Sequence, residues 1–88
     1  MMQRATIYTA RFCPYCEAAK SLLKSERIPF DEVDISGNWE ARDEMINRSN
    51  GQTTIPQIFI GDRRIGGLND LKALQNTGAL GKQTEFFS

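Results

Sequence analysis

The chain has 88 residues, room for one domain with a modest core that needs no metal or set of disulfides to hold it. Lysine plus arginine and aspartate plus glutamate both total 11, with no basic run or tail, so neither nucleic acid nor an anionic membrane is an expected partner. No stretch approaches the roughly 20 apolar residues of a membrane span, and the segment from Met1 to Ala10 lacks a signal-peptide core, so a soluble cytoplasmic monomer in a reducing compartment is expected.

The pattern predicts a first strand over Ala5–Tyr8, then a helix from Pro14 to about Ser25 with Tyr15, Ala19, Leu22 and Leu23 at helical spacing. Ile28-Pro29 ends it. Phe30–Ile35 reads as a second strand, and Ser36-Gly37-Asn38 supplies turn and cap chemistry for a helix from Trp39 to about Arg48 whose apolar face is thin. Ser49-Asn50-Gly51 closes that helix. Gln57–Ile60 is a strong strand, Gly61-Asp62 a hairpin turn, and Arg63–Ile65 a short polar partner strand that Gly66-Gly67 breaks. A last helix begins near Asn69, carries Leu68, Leu71 and Leu74 on one side, and stops at Asn76-Thr77-Gly78. Beyond Gly81 the periodicity is weak, with Phe86 and Phe87 available to pack back. The order β-α-β-α-β-β-α describes one α/β domain over residues 1–88. It consists of a right-handed βαβ unit and a hairpin that extends the same sheet to four strands.

Cys13-Pro14-Tyr15-Cys16 is the stretch that carries chemistry. Two thiols at i and i+3 on the first turn of a helix have Cβ atoms roughly 5 to 6 Å apart, so a small tightening of that turn lets them form and break a disulfide. Pro14 suits the first helical position, where its missing N–H has no intrahelical partner. Cys13 then becomes the N-cap, its sulfur facing unpaired N–H groups and the positive end of the helix dipole, which favours the thiolate; Arg11 adds positive charge nearby. Cys16, deeper in the helix, keeps a higher pKa and acts second. Half of a zinc site is disfavoured because the chain has no histidine and no other cysteine. A purely structural disulfide is disfavoured because nothing points to an oxidising compartment.

Two further segments permit chemistry without requiring it. Pro56 is ordinarily no more than a strand-start residue, but a cis Ile55-Pro56 bond turns the Ile55 backbone toward the thiols, where it can pair with an extended peptide. Gly66-Gly67 lets a ligand approach the backbone, and the N–H groups opening the next helix suit a carboxylate. The plainer reading there is an N-cap at Asn69, with Asp70 stabilised by the helix dipole. Trp39 and the methionines read as packing residues.

Three blocks in order resemble the glutaredoxins: Cys13-Pro14-Tyr15-Cys16 after the first strand, Thr53 to Ile60 around the third, and Ile65 to Leu71 opening the last helix. The Cys-Pro-Tyr-Cys sequence is similar to the dithiol class of small bacterial-type members. This resemblance implies a thioredoxin-like fold with a four-stranded mixed sheet. It also implies glutathione as co-substrate, with no metal, and Cys13 and Cys16 as the pair that reduces glutathionylated or disulfide-containing proteins. It implies a cis Pro56, with Thr54 and Ile55 beside it and Ile55 pairing with the cysteinyl backbone of glutathione. Gly67, Leu68, Asn69 and Asp70 then hold the γ-glutamyl end, and Tyr15 flanks the ligand's sulfur.

Two departures from the family pattern stand near the expected glycyl carboxylate. Ala10 follows Thr9 where many members have lysine, and Gln52 stands where many have arginine or lysine. Arg11 is expected to replace the first cation, and Gln52 to donate an uncharged hydrogen bond. Two alternatives remain on the sequence: a module binding a [2Fe–2S] cluster through Cys13 and glutathione, which Pro14 disfavours, and a disulfide carrier served by a thioredoxin reductase.

Overall fold

The computed structural model describes residues 4–80, so Phe86 and Phe87 lie outside the described residues, as do Met1 and Met2. Its elements are β1 (Ala5–Thr9), α1 (Pro14–Ser25), β2 (Phe30–Asp34), α2 (Trp39–Arg48), β3 (Gln57–Ile60), β4 (Arg63–Gly66) and α3 (Leu68–Thr77). The sheet runs β2-β1-β3-β4, with β1 parallel to β2 and antiparallel to β3, and β4 antiparallel to β3. This is the βαβ unit with an added hairpin that the order of elements implied, and the thioredoxin-like arrangement that the family resemblance implied.

Strand alternation divides the core between the two faces of the sheet. Ala5, Ile7, Ile58 and Ile60 pack with Ala19 and Leu23 of α1 and with Leu71 of α3. Tyr8 and Phe59 face the other way, onto Met45 of α2. On that second face the Tyr8 hydroxyl donates to Glu44 and accepts from Arg48 Nη1 at 2.9 Å, while the Arg48 guanidinium lies 4.2 Å from the Phe59 ring centre. A single basic side chain thus covers the aromatic pair and satisfies its buried hydroxyl.

The inner stripe of α1 is Cys16, Ala19 and Leu23, so Ala19 and Leu23 lie inside as expected while Cys16 is buried where Tyr15 was expected. Leu22 is half-buried, and Tyr15 stands 67% exposed on the flank of the helix. Arg27, left-handed at φ 59°, ends α1 by letting Ile28 N–H return to the Leu23 carbonyl at 2.9 Å. Trp39 opens α2 but is 76% exposed and contributes little to the core.

Strand ends differ from the sequence expectation by a residue where backbone bonding decides. β1 continues through Thr9 and β2 stops at Asp34, with Ile35 N–H still bonded to the Thr9 carbonyl at 2.8 Å. Gly66 does not break the hairpin as predicted. It pairs with Ile58, because a bulge at Ile65 absorbs one residue between the Phe59–Arg64 and Ile58–Gly66 pairs. α3 starts at Leu68 rather than Asn69, and its cap is Gly67, which takes the extended conformation at φ −95°, ψ −164°. Asn69 therefore lies inside the first turn.

Candidate active site

Cys13 is the N-cap of α1, and Pro14 occupies the first turn. The Cys13 sulfur accepts the Cys16 N–H at 3.1 Å, and the Cys13 carbonyl accepts from Cys16 and Glu17, each at 3.1 Å. The sulfur thus shares a backbone donor with the Cys13 carbonyl at the positive end of a 12-residue helix. The loop before it is held from outside. Arg11 N–H donates to Ser36 Oγ at 2.8 Å, Ser36 N–H donates to Asp34 Oδ1 at 2.8 Å, and Phe12 sits at φ 55° with its ring 97% exposed.

Cys16 has a different environment, although only two residues separate it from Cys13. It is fully buried, and burial pushes its thiol up to about 12; the hydrogen bond to Cys13 adds to the effect, and the Ala10 backbone N–H partly opposes it. One helical turn on, Lys20 donates to Glu32 of β2 at 3.1 Å and pairs with Glu17 at 2.9 Å. Thr9 Oγ1 also donates to Glu32, at 2.7 Å, and chiefly this bond holds the Glu32 carboxyl below the usual carboxylate range. The network ties α1 to the strands beneath the cysteine pair. Neither cysteine is in a disulfide.

Tyr15, between the two cysteines in sequence, lines a groove of about 420 Å³. One wall is Gln52, Thr54, Ile55 and Pro56, with the Ile55-Pro56 bond cis. The loop leading to it is fixed from α2, where Ser49 Oγ donates to the Met45 carbonyl at 2.7 Å and to the Gln52 carbonyl at 3.2 Å. The opposite wall is Gly67, Leu68, Asn69 and Asp70 at the start of α3, and Tyr15 completes the rim. Gly67 comes close to the cis bond: a Cβ there sits 3.5 Å from the Pro56 carbonyl oxygen.

Asp70 both opens α3 and lines the groove. Its Oδ2 accepts the Gly67 N–H at 3.0 Å, so it caps α3 from within the first turn. Gly66 has to be glycine for this. Its φ is 118°, and a Cβ there falls 2.8 Å from the Asp70 Cγ and closer still to Oδ2.

Nine of the twelve sequence-predicted site residues line this groove, and Cys13, Cys16 and Arg11 do not. Cys13 caps the helix two residues before Tyr15 on the rim, and Cys16 is buried. Arg11 is exposed, and its charge adds in part to the lowering of the Asp34 carboxyl, which is held low chiefly by Ser36. Two residues that sequence reasoning passed over do line the groove, Gln57 and Arg64. Gln57 is 1% exposed; its amide nitrogen donates to the Thr54 carbonyl at 3.0 Å, and its amide oxygen accepts Arg64 Nε at 3.1 Å. A buried glutamine opening an apolar strand was the available signal, since such a side chain needs partners.

The glutaredoxin family model matches residues 5–65 of the chain. Glutaredoxin 3 of Escherichia coli strain K12 is 52% identical over 79 residues, covering 90% of this chain and 94% of that protein. The chain belongs to the glutaredoxin family. Among solved structures, glutaredoxin from Brucella melitensis superposes with a TM-score of 0.82 at 45% identity, covering 96% of this chain and 90% of the other. A structure described as "Metal Binding of Glutaredoxins" gives 0.70 at 44% identity, over 99% and 96% of the two chains. A buckwheat glutaredoxin–glutathione complex gives 0.79 over 93% and 76% of the chains, and at 21% identity it speaks to the fold alone. Membership makes this protein a thiol–disulfide oxidoreductase of the glutathione-dependent kind. Among the described residues no helix is long and apolar enough to cross a membrane.

Proposed function

We propose that this glutaredoxin reduces glutathionyl mixed disulfides through Cys13 alone and protein disulfides through Cys13 and Cys16 together, in the cytoplasm. The observation that carries the reading is the contrast at the start of α1, where the half-buried N-cap sulfur accepts a backbone N–H and the buried sulfur is held as a thiol.

In the first reaction the Cys13 thiolate attacks the glutathionyl sulfur of the mixed disulfide. The substrate S–S bond breaks, the substrate leaves as a thiolate that takes a proton, and a Cys13–glutathione disulfide forms. A second glutathione thiolate attacks the sulfur of the bound glutathione, releasing oxidised glutathione and restoring the Cys13 thiolate. The groove presents the backbone of Ile55 to the cysteinyl part of the ligand, and the N–H groups opening α3 to its γ-glutamyl carboxylate, with the Asp70 carboxylate beside its ammonium.

A protein disulfide takes the second route. Cys13 forms a mixed disulfide with one substrate sulfur, and Cys16, on losing its proton, attacks Cys13 and expels the reduced substrate. Two glutathione molecules then reduce the Cys13–Cys16 disulfide in succession and leave as oxidised glutathione. Burial raises the Cys16 pKa, so this step requires Cys16 to give up its proton before it attacks.

The test is an assay with a small glutathionyl mixed disulfide, glutathione and glutathione reductase. Turnover supports the reading. Activity only when thioredoxin reductase supplies the electrons points instead to a disulfide carrier. The solved relative described by its metal binding motivates one further check, an absorbance scan of the protein purified without oxygen, in which cluster bands would favour the cluster-binding alternative.

A further inference from the structure

Phe12 and Trp39 are large apolar side chains left largely in solvent, and neither has a part in the reaction described above. Phe12 directly precedes Cys13, in a left-handed conformation that a bulky side chain seldom adopts. The residue before it is held from another loop, since Arg11 N–H donates to Ser36 Oγ. That bond joins the loops that follow the parallel strands β1 and β2, so both lie at one end of the sheet. The second loop runs into α2 and frames with it a cleft of about 160 Å³, lined by Ile35, Gly37, Asn38, Trp39 and Arg42. One exposed ring on a surface needs no account, but two aromatic rings on bonded loops next to the reacting residue make this end of the protein apolar.

Sheet order sets this end apart from the groove. β1, which leads into Cys13, has β2 on one side and β3 on the other. The groove walls precede β3 and follow β4, whereas Phe12, Ser36 and Trp39 belong to the β1–β2 side. What covers that side follows from the covalent intermediate. When a protein disulfide is reduced, the substrate sulfur is bonded to Cys13, and its polypeptide is tethered to the residue next to Phe12, with the two Cα atoms about 3.8 Å apart. We infer that Phe12 and the Trp39 cleft form the docking surface for the polypeptide of a disulfide substrate, and that they select substrates with bulky apolar side chains beside the attacked cysteine.

This inference rests on the protein-disulfide route above. It is tested with two tryptophan-free peptides, each closed by an internal disulfide and differing only in having leucine or serine beside the cysteines. Wild type reduces the leucine peptide with a kcat/KM about fivefold above that for the serine peptide. Phe12→Asn, which tolerates the left-handed backbone, and Trp39→Ala each remove most of that preference through KM. Both leave turnover of the serine peptide and of the mercaptoethanol–glutathione disulfide as in wild type. Equal wild-type kinetics on the two peptides, or an equal loss on every substrate, overturns the inference. Trp39 is the chain's one tryptophan, so its fluorescence gives a reading independent of turnover. In Cys16→Ser, which traps a peptide on Cys13, the leucine peptide shifts the emission to the blue and the serine peptide does not; no shift, or the same shift with both, also overturns it. A wild-type dimer in sedimentation that Phe12→Asn dissolves gives the surface to a second copy instead and refutes the docking role. If wild type reduces neither peptide, the protein-disulfide route itself falls.

Discussion

Cys13 and Cys16 lie three residues apart on one helix and divide their labour by depth, whereas the groove beside them draws its walls from the α2–β3 loop, the edge strand β4 and the first turn of α3. The first region is local: a proline at the helix start and an N-cap sulfur follow from four consecutive residues. The second is assembled from three places in the chain, and two of its walls are joined through the Arg64–Gln57–Thr54 bonds. Chemistry can therefore be read from a short motif, while recognition depends on how the strands are registered.

The largest effect separates the two sulfurs. Cys13→Ser is expected to lose activity on both substrate classes by at least about a thousandfold, since no other nucleophile occupies a helix N-terminus in the site. Cys16→Ser should keep deglutathionylation and lose reduction of protein disulfides. Equal losses from the two variants in the mixed-disulfide assay would break the comparison at its root.

Gly66→Ala probes the assembled region. The left-handed φ and the crowding against Asp70 together predict a loss of about 2 kcal/mol in unfolding free energy, measured by urea denaturation, and a higher KM as the start of α3 shifts. Unchanged stability would mean that the Asp70 carboxylate moves aside freely and does not cap α3.

Alkaline stability gives a sharper view of Cys16. Its folded pKa of about 12 lies above that of a free thiol near 9, so between those values the unfolded chain has lost a proton that the folded one keeps. The contribution is complete below pH 9 and is lost as pH rises toward 12, at a rate of at most about 1.4 kcal/mol per pH unit. Tyr8, also raised chiefly by burial, adds to the fall in the same range, so wild type must be compared with Cys16→Ser under reducing conditions. The wild-type curve should be the steeper of the two. Parallel curves would show that Cys16 ionises as readily in the folded protein as in the unfolded chain. At a fixed mildly alkaline pH, iodoacetamide should accordingly modify Cys13 before Cys16, as mapped by mass spectrometry.

The smallest effects concern the two departures from the family pattern. Gln52→Arg places a charge at the groove wall and should strengthen glutathione binding by on the order of 1 kcal/mol, read as a lower KM that rises again with salt. Arg11→Ala should leave KM unchanged at both low and high ionic strength, because that residue does not line the groove. A salt-sensitive rise in KM for Arg11→Ala would return Arg11 to the groove.

The order of elements and the dithiol were determined by the sequence, and for a common reason. Hydrophobic periodicity, Pro14 at a helix start and Gly61-Asp62 at a hairpin act over a few residues, where propensity and capping prevail. Tertiary structure decided which residues meet. A bulge at Ile65 kept Gly66 in the ladder and moved the α3 cap from Asn69 to Gly67, which turned Asp70 from a dipole partner into a capping group. Pairing of β4 with β3 set Arg64 beside the buried Gln57, and the bond from Arg11 to Ser36 fixed the loop on the other side of Cys13. Nothing in the spacing of Arg11 or Arg64 tells which of the two arginines faces the groove, because strand register and loop anchoring are long-range bonds whose partners lie 7 and 25 residues away.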